Sequence, residues 1–242
     1  MRTIVLMAAA AAALLAPGIA AAQTALRVEP LLVDVSSPSQ ASSVTLQNNG
    51  SSDLSLQLRI YEWSQVNGED RLTPTNDVVA SPPTARIAPG SNYTVRIART
   101  VGAAASGTEK AYRLWIDELP AESALRDSGG EVGIRLRFDL PVFFHGTDEA
   151  ANLTWTARRE GSDVVLEAAN TGRRHARIEG LHLEGRGGAG VSFGDGLNGY
   201  VLAGSTRRWT APVGNAALAD GSATVVIGPG GNETRHAVAL AN

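Results

Sequence analysis

The segment from Glu131 to Phe144 constrains this chain more than any other. It reads EVGIRLRFDLPVFF, with Val132, Ile134, Leu136, Phe138, Leu140, Val142 and Phe144 on alternate positions. Gly133, Arg135, Arg137, Asp139 and Pro141 fall between them. Neighbouring side chains of an extended chain point to opposite faces, so this alternation predicts a β-strand with one apolar face. The run also exceeds the usual strand length of about 5–6 residues. An apolar strand of that length left on a sheet edge is a template for pairing with another chain. Two readings stand: the fold covers the row, or the row serves to pair with something else.

Residues 1–22 are expected to lie outside the fold as a secretory signal peptide. Arg2 gives a positive start, Ile4 to Leu15 an apolar run, Pro17-Gly18 a break, and Ala20-Ala21-Ala22 the small residues before cleavage. The apolar run is shorter than a bilayer span requires, and no other segment approaches that length, so stable membrane insertion is not expected. The small-residue composition looks bacterial, which points to the periplasm. The chain has no cysteine, which excludes thiol catalysis, zinc–thiolate sites and cysteine-linked haem. A formal net charge of −3 and a single lysine, Lys110, leave no basic stripe for nucleic acid.

Short alternating runs separated by Gly, Ser, Asn, Asp and Pro clusters fill the rest, a pattern of all-β sandwiches. The first half carries seven candidate strands: Leu26–Val35, Ser43–Asn48, Leu54–Trp63, Val78–Ile87, Asn92–Arg99, Ala111–Glu118 and Glu131–Phe144. Seven strands in that length is the count of an immunoglobulin-like sandwich. A polar stretch, His145 to Glu149, marks a boundary, giving domains 23–146 and 147–242. The second half predicts a smaller sandwich with strands Leu153–Arg158, Val164–Asn170, Ala176–Glu184, Val191–Phe193, Tyr200–Ala203, Thr206–Ala211, Ala223–Ile227 and Arg235–Leu240.

No catalytic constellation emerges. The histidines at 145, 175, 182 and 236 lack metal-ligand spacing and read as structural or surface residues. The acidic pairs Asp117-Glu118 and Asp148-Glu149 point to opposite strand faces and do not couple. Gly185, Gly187 and Gly190 match a dinucleotide-binding glycine pattern, but no helix signal follows, so a hairpin loop is expected. No cofactor and no metal are expected, and the chain reads as a non-enzyme.

Several ordered pieces resemble the PapD-like periplasmic pilus-assembly chaperones of the chaperone–usher pathway. They are Leu46-Gln47-Asn48, Ser81-Pro82-Pro83 through Ile87-Ala88-Pro89-Gly90, and Thr94-Val95-Arg96-Ile97. Tyr112-Arg113-Leu114 leading to Glu118-Leu119-Pro120, and then Leu140-Pro141-Val142-Phe143-Phe144, complete the set. The resemblance implies two immunoglobulin-like β-sandwich domains arranged as a boomerang. It implies that the last strand of the first domain is lent to an incomplete pilin subunit, which is then passed to an outer-membrane usher. Carried over by position, the donated side chains are Val132, Ile134, Leu136 and Phe138, the row read from periodicity.

The chain departs from the conventional family pattern at the anchor for the pilin's C-terminal carboxylate. The positions that conventionally carry an arginine and a lysine are Leu32 and Pro141, and a domain-joining arginine falls at His145. These departures resemble the archaic, or alternative, branch. If 111–118 pairs antiparallel with 131–144, Arg113 falls near the end of the long strand and is the first candidate for a replacement anchor, with Arg99 and Arg96 behind it. In the free protein the exposed row is expected to be masked by self-association or by the 119–130 segment. The competing reading is a structural or adhesive surface β-sandwich whose long strand is buried internally.

Overall fold

The computed structural model describes residues 25–100, 107–120, 135–185, 190–213, 221–228 and 232–241. Among them there is no helix, and nineteen strands build four sheets. Ten belong to the first half: β1 (Leu26–Glu29), β2 (Val33–Ser36), β3 (Ala41–Asn48), β4 (Leu54–Val66), β5 (Glu69–Pro74), β6 (Val78–Ser81), β7 (Thr84–Ile87), β8 (Asn92–Arg99), β9 (Lys110–Glu118) and β10 (Arg137–His145). A four-stranded sheet in the order β1-β3-β8-β6 faces a larger one in the order β2-β10-β9-β4-β5, to which β7 adds beside β4. Their inner faces enclose one core that includes Val44, Leu46, Leu56, Ile97, Leu114 and Val142.

Proline divides two of the expected strands. The run 26–35 is not one strand: Pro30 separates β1 from β2, which lie in different sheets. The run 78–87 divides in the same way at Pro82-Pro83, with β6 pairing β8 and β7 pairing β4. Proline has no N–H to give a ladder, so each becomes the point at which the chain crosses between sheets. The β5 strand carries no alternation, because both its faces are largely exposed. It exists through its hairpin with β4, turned at Asn67-Gly68, where both residues have positive φ.

The second half holds β11 (Leu153–Glu160), β12 (Asp163–Asn170), β13 (Ala176–Glu179), β14 (His182–Glu184), β15 (Gly190–Ser192), β16 (Leu197–Val201), β17 (Thr206–Pro212), β18 (Gly221–Ile227) and β19 (Thr234–Ala241). Seven form one sheet, β15-β14-β18-β19-β11-β12-β17, and β13 pairs β16 beside it over a second core. The expected strand 176–184 divides at Gly180, another positive-φ residue. The glycine pattern at 185–190 joins β14 to β15, which pair antiparallel; Gly187 lies outside the described residues.

A third cluster joins the halves: Trp63, Ala111 and Phe143 pack with Tyr200 and Leu202, and His175 stacks on Phe143 at 3.7 Å between ring centres. Polar contacts surround it. The Gln65 amide donates to Tyr200 O at 2.8 Å and accepts from Leu202 N at 3.0 Å. Asp70 accepts from Arg207 (2.6 Å), Trp63 Nε1 (2.9 Å) and Gln65 Nε2 (2.9 Å). Glu109, its side chain 1% exposed, accepts the backbone N–H of His175 at 2.9 Å and faces that residue's Nδ1.

Candidate functional site

The long apolar row changes character along β10. One side of the strand pairs with β9 from Arg137 to Phe144, whereas the other side pairs with β2 only from Val142 to His145. The outer edge of 137–141 is therefore unpaired among the described residues, while Leu140, Val142 and Phe144 point into the first core. Leu136 is 37% exposed and Phe138 is half-buried against the core. Of the other two residues in the expected row, Val132 and Ile134 lie outside the described residues. The strand begins at Arg137 rather than at Glu131 as far as the described residues run; Leu136 still accepts the N–H of Glu118 at 3.1 Å.

A second free edge faces the first. Among the described residues β1 pairs only with β3, so there the sandwich has an open seam between β1 and the start of β10. Leu26, Val28, Leu31 and Phe138 are among the residues lining this groove. Open edges present backbone donors and acceptors, and the groove presents apolar surface, which together suit an extended segment added as a strand.

The start of β10 is held from its outer face. Arg137 and Arg59 both bond the Asp117 carboxylate, Arg59 at 2.6 Å. The Arg137 guanidinium lies 4.0 Å from the Trp115 ring centre, with Arg59 at 5.6 Å. Burial alone would raise the Asp117 carboxyl, but hydrogen bonds from the two arginines hold it below its ordinary value. These contacts tie the start of β10 to β9 and β4.

At Phe138 the groove runs into a cleft between the two halves. Leu32, Arg113 and Pro141 line it from the first half, and Arg177, Tyr200 and Arg207 from the second. The register of β9 with β10 sets Arg113 opposite Pro141. The Arg113 side chain is 17% exposed, its guanidinium lies 3.7 Å from the Trp63 ring centre, and its sole ion pair among the described residues is with Asp139 at 3.6 Å. The other two candidate cations lie elsewhere. Arg99 sits over Phe144 and lines a small separate cavity with Ser37 and His145. Arg96 is exposed on β8, opposite Ser43 and Ser81. Arg177, Arg207 and Tyr200 gave no signal in the sequence, because only the packing of the second half on the first brings them to the cleft.

His145 stands between the halves. Its Nε2 lies 3.0 Å from Asp34 Oδ1, and the other Asp34 oxygen accepts from Arg174 at 2.7 Å. The cation reaching this point from the second half is Arg174. No group of three or more metal-ligating side chains occurs among the described residues, and no helix there is long and apolar enough to cross a membrane.

Residues 25–148 match the family described as pili and flagellar-assembly chaperone, PapD N-terminal domain. Comparison with curated proteins gives no match. Among solved structures, the chain is similar to one described as the CsuC–CsuE chaperone–tip adhesion subunit pre-assembly complex from archaic chaperone–usher Csu pili of Acinetobacter baumannii. The TM-score is 0.67 at 22% identity, over 90% of this chain and 100% of that one. It is also similar to the YadV chaperone, with a TM-score of 0.62 at 16% identity over 90% and 100% of the two chains. A complex of Salmonella enterica SafA pilin with the SafB chaperone gives 0.59 at 14% identity, over 88% and 96%. These likenesses extend the same fold across both halves.

Proposed function

Because the chain belongs to the family of pili and flagellar-assembly chaperones that carry the PapD N-terminal domain, we propose that it captures exported pilin subunits by lending them the open edge of β10. It then passes them to an outer-membrane usher. The observation that carries this reading is the division of one apolar row. Its far end, Leu140 to Phe144, is locked in the chaperone's own core, while the stretch before it has an edge unpaired among the described residues, with Leu136 exposed. A strand so divided can complete a second sandwich without leaving its own. Main-chain pairing supplies affinity and alternate side chains supply selectivity. The donated side chains are Val132, Ile134, Leu136 and Phe138. Each is worth roughly 1.5–3 kcal/mol on full burial, enough to hold a client after ordering costs are met.

Residues 23–146 form the pilin-binding domain, 147–242 complete the cleft, and 1–22 direct export to the periplasm. No bond is made or broken, and no cofactor takes part. The departures at Leu32 and Pro141, together with the likeness to the CsuC-containing complex, favour the archaic branch. In place of the conventional pair, Arg113 holds the client's C-terminal carboxylate. It is largely buried, stacked on Trp63, and makes no hydrogen bond among the described residues, so its N–H groups are available to an incoming anion. A wholly buried strand, as in an adhesive sandwich, is disfavoured by the exposure of Leu136.

Co-expression with candidate pilins, followed by gel filtration, tests the reading. A stoichiometric complex is expected with the cognate pilin, and none after Ile134→Glu with Leu136→Glu. The double variant should keep the circular dichroism and melting of the parent. If it unfolds, the row is core and the proposal fails.

A further inference from the structure

Charge in the cleft is unevenly neutralised. Three guanidinia line it, and one is already committed: Arg207 is held by Asp70 at 2.6 Å. The only anion paired with Arg113 among the described residues is Asp139, at the long distance of 3.6 Å. Arg177, on β13, is exposed, and its partner is Glu179, two residues along the same strand and itself partly exposed. Exposed pairs of that kind hold their partners weakly. Tyr200 lines the same cleft as Arg113 and Arg177. Burial pushes its phenol up from the ordinary value, with Arg177 and Arg113 pulling the other way, so both guanidinia are within electrostatic reach of one hydroxyl.

We infer that the receptor for the client's C-terminal carboxylate is bipartite, with Arg113 supplied by the first half and Arg177 by the second. This rests on the reading of Arg113 given above. A carboxylate has two oxygens and about four acceptor positions, more than one guanidinium edge fills. With its face on Trp63, Arg113 keeps its edge for a bidentate grip. Asp139 already offsets part of the charge of Arg113, so a second cation restores the net attraction. Arg177 can leave Glu179 at little cost, whereas Arg207 cannot leave Asp70. The Tyr200 hydroxyl adds a neutral donor. A client held in this way touches both halves, so its terminus, and not only its strand groove, selects it.

The test uses the full chain and a fluorescein-labelled peptide of the last ten residues of the pilin that co-purifies with it, made with a free or an amidated C-terminus. Anisotropy titration should show amidation weakening binding to the parent at least tenfold. Arg177→Ala should weaken the free-acid peptide about tenfold, leave the amidated peptide unchanged, and be partly rescued by Arg177→Lys. If Arg113→Ala shows the loss and Arg177→Ala does not, the bipartite receptor is wrong and the single anchor stands. If Arg177→Ala weakens both peptides equally, it contacts the client without reading the carboxylate, and the inference is overturned. If amidation itself has no effect, or no pilin is captured at all, the reading beneath it fails as well.

Discussion

Arg113 and Asp139 meet across the β9–β10 ladder at 3.6 Å, too far for a hydrogen bond, with both side chains lining the cleft between the two halves. The aspartate stands where an incoming carboxylate would approach, as a resident substitute that grips poorly. If Arg113 holds the client's terminus, as proposed, that terminus must displace Asp139 or share the arginine with it. Asp139→Asn removes the competing charge while keeping shape and is expected to tighten pilin binding about three- to tenfold. Arg113→Ala is expected to weaken it at least tenfold, the range of one charge-assisted contact. Surface plasmon resonance with immobilised pilin reads both, and unchanged affinity in Asp139→Asn would separate the aspartate from the anchor.

The same strand allows a sharper contrast. Leu136 and Leu140 are four residues apart in one apolar row, yet the first is 37% exposed and the second 2%. Truncating Leu140 leaves a cavity in the core, so Leu140→Ala should cost about 2–4 kcal/mol in urea unfolding. Leu136→Ala should stay within about 0.5 kcal/mol while weakening pilin capture. Equal destabilisation by the two would mean that the row is core throughout.

Why alternation could mark β10 but not divide it follows from those two leucines. Periodicity records that one face is apolar, and Leu136 and Leu140 carry the same signal. What separates them is tertiary packing: Leu140 sits in the first core, and β2 joins the strand only beyond it, from Val142 on, in a pairing between residues over a hundred positions apart. Pro30 lies inside one expected strand and Pro82-Pro83 inside another, and that each sends the chain to the opposite sheet depends on tertiary pairing. The β5 strand, polar on both faces, leaves no period to read. Arg113 could be placed because antiparallel register follows from neighbouring strands. Arg177 and Arg207 could not, since they reach the cleft only through the packing of Tyr200 and Leu202 on Trp63 and Phe143.

That packing is braced by Glu109. Its carboxylate is almost wholly buried, accepts the His175 N–H at 2.9 Å, faces His175 Nδ1 at the same distance, and lies 3.9 Å from Arg174 Nε. Glu109→Ala would leave the His175 N–H without its acceptor and Arg174 with one anion fewer. A cost of about 2–3 kcal/mol is expected in urea unfolding, because loss of one partner strands the other. Glu109→Gln, which keeps an acceptor for the N–H, should cost less. Small-angle scattering should show a wider spread of interdomain angles in Glu109→Ala than in the parent.

Asp70 makes the interface sensitive to acid. Burial would raise its carboxyl, but hydrogen bonds from Arg207, Gln65 and Trp63 hold it below the ordinary value. With the folded value depressed, the unfolded chain takes up the proton first as pH falls. The stability contributed by this carboxylate is then fully present above the unfolded value of about 3.9, and it is lost as pH drops through the lower folded value. Asp70→Asn keeps the shape but loses the charge facing Arg207. It should destabilise the protein at neutral pH by about 1–2 kcal/mol, a figure kept low because a third of the side chain is exposed. For a chain of this size that is a fall of about 2–8 °C in melting temperature. Other carboxylates, Asp117 among them, titrate in the same direction, so the informative quantity is the difference between parent and variant. That difference should be constant from pH 7 to pH 5 and close below pH 4. A difference that instead grows on acidification would mean that Asp70 is held in its neutral form and does not brace the two halves through charge.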